Sequence, residues 1–294
     1  MAREEQMQMK NRAVLGPILC LFFWTTLSPA QLEKVALRFG PQAGAGLTYS
    51  LTGQVNVAGK DLLGKDLALD ADAQGEIHFA FRNPGRDTVQ ASLTSPGIQV
   101  HAQIPDRSQT QTLRTREGKA LEVVFNRTGK VVDIRNPEAL EQENVLNFSI
   151  PQLLRDYFPA FPAQPVGPGD QWRESRRLTV PYQGLEVQVD LIIDYTLNDI
   201  LPTPEGRKAI VSAAYTAKVS GAKDLGDTMG TFEGKGAGMG FLNFLVDRGY
   251  FTEYRLDFKT DAAFVMRKGA KRLFEWPFTF SVLAEINLVA SDQN

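Results

Sequence analysis

Apolar and polar residues alternate along most of the chain after about residue 45. In the segment EIHFAFR, residues 76–82, the apolar Ile77, Phe79 and Phe81 occupy every second position. Successive side chains of a strand point to opposite faces, so this period predicts antiparallel strands with one buried face. The predicted strands cover residues 46–57, 76–82, 88–94, 98–104, 121–125, 130–134, 185–197, 209–219, 230–241, 243–246, 250–258 and 274–289.

Two short helices are predicted in the middle of the chain. Asn136-Pro137-Glu138 offers an N-cap, a proline at the first helical position and an acid in the first turn, which predicts a helix to about Asn147. Residues 149–158 predict a second helix. Four prolines then fall within residues 159–169, and they favour a stiff extended connector because proline restricts both itself and the residue before it.

The sequences on the two sides of this connector resemble each other. Residues 44–49 resemble residues 167–172, and residues 89–93 resemble residues 209–213, both at an offset near 120. Similar offsets suggest two copies of one β unit, although strand–turn–strand sequences also resemble one another by chance. The predicted fold class is therefore mainly β, with long curled antiparallel sheets, two similar half-barrel units and two short helices between them.

The first residues predict export from the cytoplasm. Lys10 and Arg12 precede a stretch without charge, and Ser28-Pro29-Ala30 supplies small residues for cleavage after Ala30. An uncleaved membrane anchor is the alternative, because the stretch is long enough to span a bilayer. The predicted parts are residues 1–30 as signal peptide, 31–158 and 170–294 as β units, and 159–169 as connector. We expect a secreted or periplasmic protein that meets the membrane only through the leader, if the leader is kept.

Composition removes several classes of function. The only cysteine, Cys20, lies in the leader, so the exported chain would have no thiol for a disulfide, a metal site or a nucleophile. The net charge is −2, whereas a nucleic-acid binder needs an excess of Lys and Arg against phosphates. We therefore expect no nucleic-acid partner.

Side chains that could carry chemistry are few. The two histidines, His78 and His101, fall within predicted strands rather than loops, and no metal-binding or nucleophile motif surrounds them. We predict no catalytic residue, no metal and no cofactor. Asp190 and Asp194 share a face of one predicted strand, which leaves a carboxylate-based hydrolase as one alternative.

The segment GKGAGMGF, residues 234–241, has glycine at every second position. Glycines with this period lie on one face of a strand, where another element or a ligand can approach the backbone closely. Tight packing of a twisted strand is the simpler interpretation. A ligand could instead lie against this smooth wall, and the segment of residues 136–158 is a candidate lid over the concave face of the sheet. The speculative ligand-binding residues are Gly236, Gly238, Gly240, Phe241, Leu153, Leu154, Tyr157 and Phe158.

Three segments resemble a group of uncharacterised exported bacterial β proteins. They are LRFGPQAG at residues 37–44, FPAQPVGPGDQW at residues 161–172, and FLVDRG at residues 244–249, which follows Gly236-x-Gly238. More distantly, long curled strands with short covering helices look like periplasmic lipoprotein-carrier half-barrels. That likeness implies a role in handling envelope lipids, but it rests on fold and carries over no functional residue.

The leading hypothesis is a non-enzymatic exported binding or carrier protein for a hydrophobic or amphipathic ligand. It follows from a long curled sheet, which would expose a concave apolar face. The first alternative is an envelope module that binds another protein through a sheet edge or a flat face. The second alternative is the carboxylate-based hydrolase.

Overall fold

Alternating side chains build one antiparallel sheet of twelve strands in the computed structural model. The structure describes residues 33–60, 64–82, 85–142, 144–145, 148–182 and 185–292, without the side chains of residues 145, 148, 156–157, 180–182 and 185. The strands are β1 (Gly46–Lys60), β2 (Asp66–Arg82), β3 (Thr88–Ile104), β4 (Arg107–Leu113), β5 (Leu121–Asn126), β6 (Val131–Arg135), β7 (Asn144–Val145), β8 (Phe148–Ser149), β9 (Gln171–Tyr182), β10 (Leu185–Thr203), β11 (Gly206–Asp224), β12 (Met229–Leu245), β13 (Tyr250–Lys268) and β14 (Lys271–Asp292). The helical elements are a 3-10 turn, Pro137–Ala139, and one α-helix, α1, Ile150–Tyr157.

The first and last long strands pair with each other and make the sheet continuous. The strand order is β6-β5-β3-β2-β1-β14-β13-β12-β11-β10-β9, with β4 beside β3, and β7 pairs only with β8. The pairing of β1 with β14 runs from Gly46 opposite Asp292 to Ala58 opposite Thr279. Strands from both sides of the connector thus belong to one open sheet within one compact unit, Glu33–Asn294. The prediction of two half-barrel units is not confirmed.

The sheet curls so that its apolar face lies inside. One buried cluster contains Phe125 of β5, Leu197 of β10 and Phe244 of β12, which lie far apart in the strand order. The outer face is polar, with ion pairs such as Arg255 to Glu285 between neighbouring strands. None of the helices in the described part of the chain has the length and hydropathy that crossing a membrane requires.

Two segments without long strands fill the inside at one end of the sheet, called here the packed end. They are residues 33–45 and residues 158–170. Backbone pairing of Val35 with Val166 joins the two segments, and the Phe161 N–H donates to the carbonyl of Thr128 in the β5–β6 turn. The opposite end, called the open end, carries the β1–β2, β3–β4, β11–β12 and β13–β14 turns.

The predicted helix from Asn136 to Asn147 is wrong. Asn136 has a left-handed backbone with φ of 57°, and only the 3-10 turn follows it. Leu140 then forms a bridge with Thr115, and the Glu141 N–H donates to the carbonyl of Arg114. The 3-10 turn buries Ala139 and the extended residue after it buries Leu140, so tertiary packing outweighs the local helix signals. The second predicted helix is confirmed as α1.

The strands are longer and more numerous than predicted. β3 continues through Ser95-Pro96-Gly97, where a turn was expected, with a bulge in its pairing to β2. β4, β9 and the first half of β2 were not predicted. The predicted strands 121–125 and 130–134 correspond to β5 and β6, which form a hairpin with Gly129 at φ of 86° in its turn.

Candidate functional site

The inner face is filled at the packed end. Its aromatic rings leave an enclosed space of only about 10 Å³, which is no larger than one water molecule needs. These rings belong to Phe39, Tyr49, Phe79, Phe81, Phe125, Phe158 and Phe251. A ligand therefore has no room among these rings.

The inner face is less completely covered along β14, β1 and β2, between the packed end and the open end. There, apolar side chains of β14, β1 and β2 are only partly buried, although they point to the same side as the core. They are Leu51, Val55, Val57, Leu69, Ala73, Phe280, Val282, Ala284 and Ile286. At about 3.3 Å per strand residue, residues 51–59 span about 26 Å. We call this concave apolar surface the trough.

A second aromatic cluster lies at the open end of the trough. Phe232 and Phe264 are buried, whereas Phe274, Trp276 and Phe278 are half-exposed. The rings of Phe274 and Trp276 stack at 4.2 Å. These rings give the mouth of the trough an aromatic lining.

The glycine row of β12 lies on the inner face, as its period predicted, but side chains cover it. A Cβ on Gly236 would lie 2.5 Å from the ring of Phe258, and one on Gly240 would lie 2.8 Å from the ring of Tyr215. A Cβ on Gly238 would lie 2.5 Å from the backbone oxygen of Asp257. Packing of neighbouring strands therefore accounts for these glycines. Phe241, the other predicted residue here, is opposite Arg255 on the outer face.

The residues predicted on the second helix close the packed end. Leu153 and Leu154 are half-buried against the core, and the ring of Phe158 lies 5.1 Å from that of Phe125. The side chain of Tyr157 lies outside the described residues. The helix therefore does not cover the trough.

A buried polar cluster connects the end of α1 with the glycine row, and the sequence did not predict it. On β9, the Glu174 carboxylate accepts hydrogen bonds from Arg176 Nη2 at 2.8 Å and forms an ion pair with Lys130 Nζ at 2.9 Å. Arg176 Nη2 also donates to the carbonyl of Phe158 at 2.5 Å. The side chains of Glu174 and Arg176 are only 6% and 12% exposed. Buried charges of this kind persist only when they are paired.

Three tyrosines complete the polar cluster. The hydroxyls of Tyr215 and Tyr254 lie 3.0 Å apart, and the Tyr195 hydroxyl donates to Glu174 Oε2 at 3.5 Å. Trp172 stacks on Tyr195 with ring centres 5.2 Å apart. Burial raises the pKa of Tyr195 and of Tyr215, so both phenols stay protonated near neutral pH.

Glu174 and Arg176 are ionised at neutral pH. Burial by itself would raise the pKa of Glu174, but hydrogen bonds and charge from Arg176 and Lys130 outweigh it and lower that pKa. Lys130 lies beyond β5 in the β5–β6 turn, and Glu174 lies on the edge strand β9. The ion pair therefore joins the two edges of the open sheet, and Arg176 joins the same edge to the end of α1.

A strand pattern could have revealed this cluster. In β9, Trp172, Glu174, Arg176 and Leu178 fall on alternate positions, so two opposite charges share a face with two apolar side chains. The charges concealed the apolar period, and β9 was not predicted for that reason.

The carboxylates and histidines that the sequence analysis considered for catalysis or metal binding lie on the outer face. Asp190 and Asp194 each bind their own arginine of β9, Arg177 and Arg173, at 2.6 Å. His78 and His101 contact threonines of neighbouring strands, the former at 2.9 Å from Thr48 Oγ1. Among the described residues, no three His, Cys, Asp or Glu side chains come together as a metal site would need.

Comparisons with known proteins give no family. No protein-family model and no curated protein matches the chain. Solved structures with some likeness include an outer membrane channel from Pseudomonas putida F1, with 10% identity, a TM-score of 0.25, and coverage of 87% of this chain and 98% of the channel. OccK5 (OpdH) from Pseudomonas aeruginosa has 7% identity and a TM-score of 0.26, covering 83% and 98%. OpdK with vanillate from Pseudomonas aeruginosa has 9% identity and a TM-score of 0.18, covering 86% and 100%.

These likenesses are too low to support an argument about fold or function. The distant likeness to lipoprotein carriers that the sequence suggested is not confirmed. The sheet and its trough therefore define the class by themselves: a mainly β protein with one open, curled antiparallel sheet.

Proposed function

We propose that the protein is a non-enzymatic, exported carrier that holds a hydrophobic or amphipathic ligand in the trough. The observation that supports this proposal is the half-exposed apolar surface of β14, β1 and β2 on the concave side of the sheet. Concave apolar surface with partly accessible side chains is the usual lining of a small-molecule site.

The ends of the trough suit an amphipathic ligand with a long apolar part. The filled packed end stops the ligand at one side, and the aromatic mouth admits it at the other. Each Å² of apolar surface that a ligand covers contributes about 25 cal/mol. A ligand with an extended acyl chain can cover the length of the trough, whereas a compact polar molecule cannot.

The proposal is tested by ligand binding to residues 31–294, which contain the compact unit. The probe is a dansyl-labelled fatty acid, and lipids that copurify are identified by mass spectrometry. Val55 lies on the inner face between Ala71 and Val282. We expect Val55→Glu to weaken binding of the probe at least about tenfold, because it places a charge against the apolar chain.

Gln54→Glu is the matched control, since Gln54 is the exposed neighbour on the outer face. It should bind the probe as the wild type does. Val55→Trp fills the trough without adding a charge, and it should also lose binding. It therefore separates loss of the binding surface from a folding defect caused by a buried charge. If the wild type binds no probe, or if both glutamate variants lose binding equally, the carrier proposal fails.

A further inference from the structure

The open end carries a basic hairpin, residues 265–276, where β13 turns into β14. Its four cations and one carboxylate give this segment a net charge of +3, in a chain whose net charge is −2. The cations are Arg267, Lys268, Lys271 and Arg272. They lie at the two sides of one turn, because Arg267 is opposite Arg272 and Lys268 is opposite Lys271.

Exposed apolar side chains accompany these cations. The described part of the chain exposes eight large hydrophobic residues, and three of them are at this end: Leu273 at 45%, Met229 at 51% and Leu225 at 39%. Met229 is directly opposite Arg267 in the β12–β13 pairing. The half-exposed rings of Phe274 and Trp276 lie on the inner side of the same hairpin.

Acidic neighbours pair with three of the four cations. Lys268 pairs with Asp227 at 3.3 Å, Arg267 approaches Glu233 at 4.0 Å, and Arg272 pairs with Glu275. All three pairs are solvent-exposed, and exposed pairs are weak and easily exchanged for other anions. The hairpin thus keeps cations that can turn towards an external negative surface.

We propose that the basic hairpin docks the open end on an anionic lipid surface. Lys and Arg attract anionic headgroups, while their long stems allow the aliphatic neighbours to enter the interface. Tryptophan is favoured at the same depth, with its ring between the headgroups and the acyl chains. A protein partner would need a broad flat contact, whereas these apolar residues lie on the tips of two turns. The docked hairpin places the mouth of the trough against the bilayer.

This inference adds a membrane contact beyond the leader, and it is measured separately from ligand binding. Residues 31–294 are mixed with vesicles of phosphatidylcholine and with vesicles that also contain phosphatidylglycerol, and bound protein is measured by flotation. We expect binding to the anionic vesicles only. Binding should fall when salt is raised from about 0.1 M to about 1 M, which shortens the Debye length from about 10 Å to about 3 Å.

Charge reversal locates the docking surface. The double variant Lys268→Glu with Lys271→Glu should bind anionic vesicles at least about tenfold more weakly. The matched control, Arg86→Glu with Lys119→Glu, changes the net charge equally through exposed residues outside the open end, and it should bind as the wild type does. Leu273→Ser should weaken the binding that remains at high salt.

The docking proposal and the carrier proposal can be refuted independently of each other. The hairpin double variant should still bind the dansyl fatty acid in solution, because neither lysine lines the trough. Equal binding of the wild type to both kinds of vesicle, or equal loss in the control, would overturn the docking proposal and leave the carrier proposal standing. Absence of any vesicle binding would overturn it as well.

Discussion

The packed end and the open half of the sheet have the same alternating strands but different interiors. At the packed end, residues 33–45 and 158–170 cover the inner face, and Phe125 is 0% exposed. In the open half, inner side chains of β11 and β13 such as Ala217 and Thr260 are also buried, whereas Val55 and Val282 on β1 and β14 are only partly buried. Alternation therefore determines which side chains point inward, and the two added segments complete the burial at the packed end.

The largest expected effect concerns aromatic residues of the two regions. Phe125→Ala should lower the free energy of unfolding by about 4 kcal/mol, because the rings around Phe125 cannot collapse into the cavity. Phe278→Ala, the matched change beside the trough, should cost about 1 kcal/mol, since Phe278 is already half-exposed. Urea unfolding measures both, and equal losses would show that the two regions are packed alike.

The second-largest expected effect concerns the buried ion pair between Glu174 and Arg176. Glu174→Gln leaves Arg176 without its carboxylate, and we expect a loss of about 2–3 kcal/mol at neutral pH. This is below the range for fully buried pairs because Lys130 is half-exposed. Thermal unfolding of both proteins provides the measurement.

This variant should also change how stability depends on pH. The folded-state pKa of Glu174 is lowered, so its contribution is present above the unfolded value of about 4.3 and is lost as the pH falls through the folded-state value. The difference in melting temperature between wild type and Glu174→Gln should thus be constant at neutral pH and shrink in acid. A difference that grows in acid would contradict this assignment.

A smaller loss of stability is expected for glycine substitutions, and it should differ between a tightly packed glycine and one with free space around it. Gly238→Ala should cost about 1–3 kcal/mol, because its Cβ would meet the backbone oxygen of Asp257 at 2.5 Å. Gly53→Ala, on the inner face of β1, would meet nothing closer than 3.7 Å and should be neutral or slightly stabilising. Similar losses in both variants would mean that a strand glycine in this sheet is needed for another reason.

The sequence predicted the features that depend on local pattern. These include the mainly β class, the second helix and the two strands at residues 121–125 and 130–134. It did not predict β9, because Glu174 and Arg176 occupy inner positions and neutralise each other only in three dimensions. It predicted a helix at Asn136 because its capping signals are local, whereas the bridge between Leu140 and Thr115 depends on residues distant in sequence.

The speculative ligand residues show the same limit. The period of Gly236, Gly238 and Gly240 correctly placed them on one face, but Phe258 and Tyr215 cover that face. The trough lies on β14, β1 and β2 instead, and its pairing joins residues more than two hundred positions apart. No local pattern could have placed Val282 beside Val55.

The most direct measurement uses the two tryptophans of residues 31–294, one in each region. Trp172 stacks on Tyr195 beside the polar cluster, and Trp276 lies at the mouth of the trough. A brominated fatty acid is added to Trp172→Phe and to Trp276→Phe, and quenching of the remaining tryptophan is recorded. If the trough holds the ligand, Trp276 is quenched strongly and Trp172 weakly. Strong quenching of Trp172 alone, or of neither tryptophan, would contradict an apolar site in the open half of the sheet.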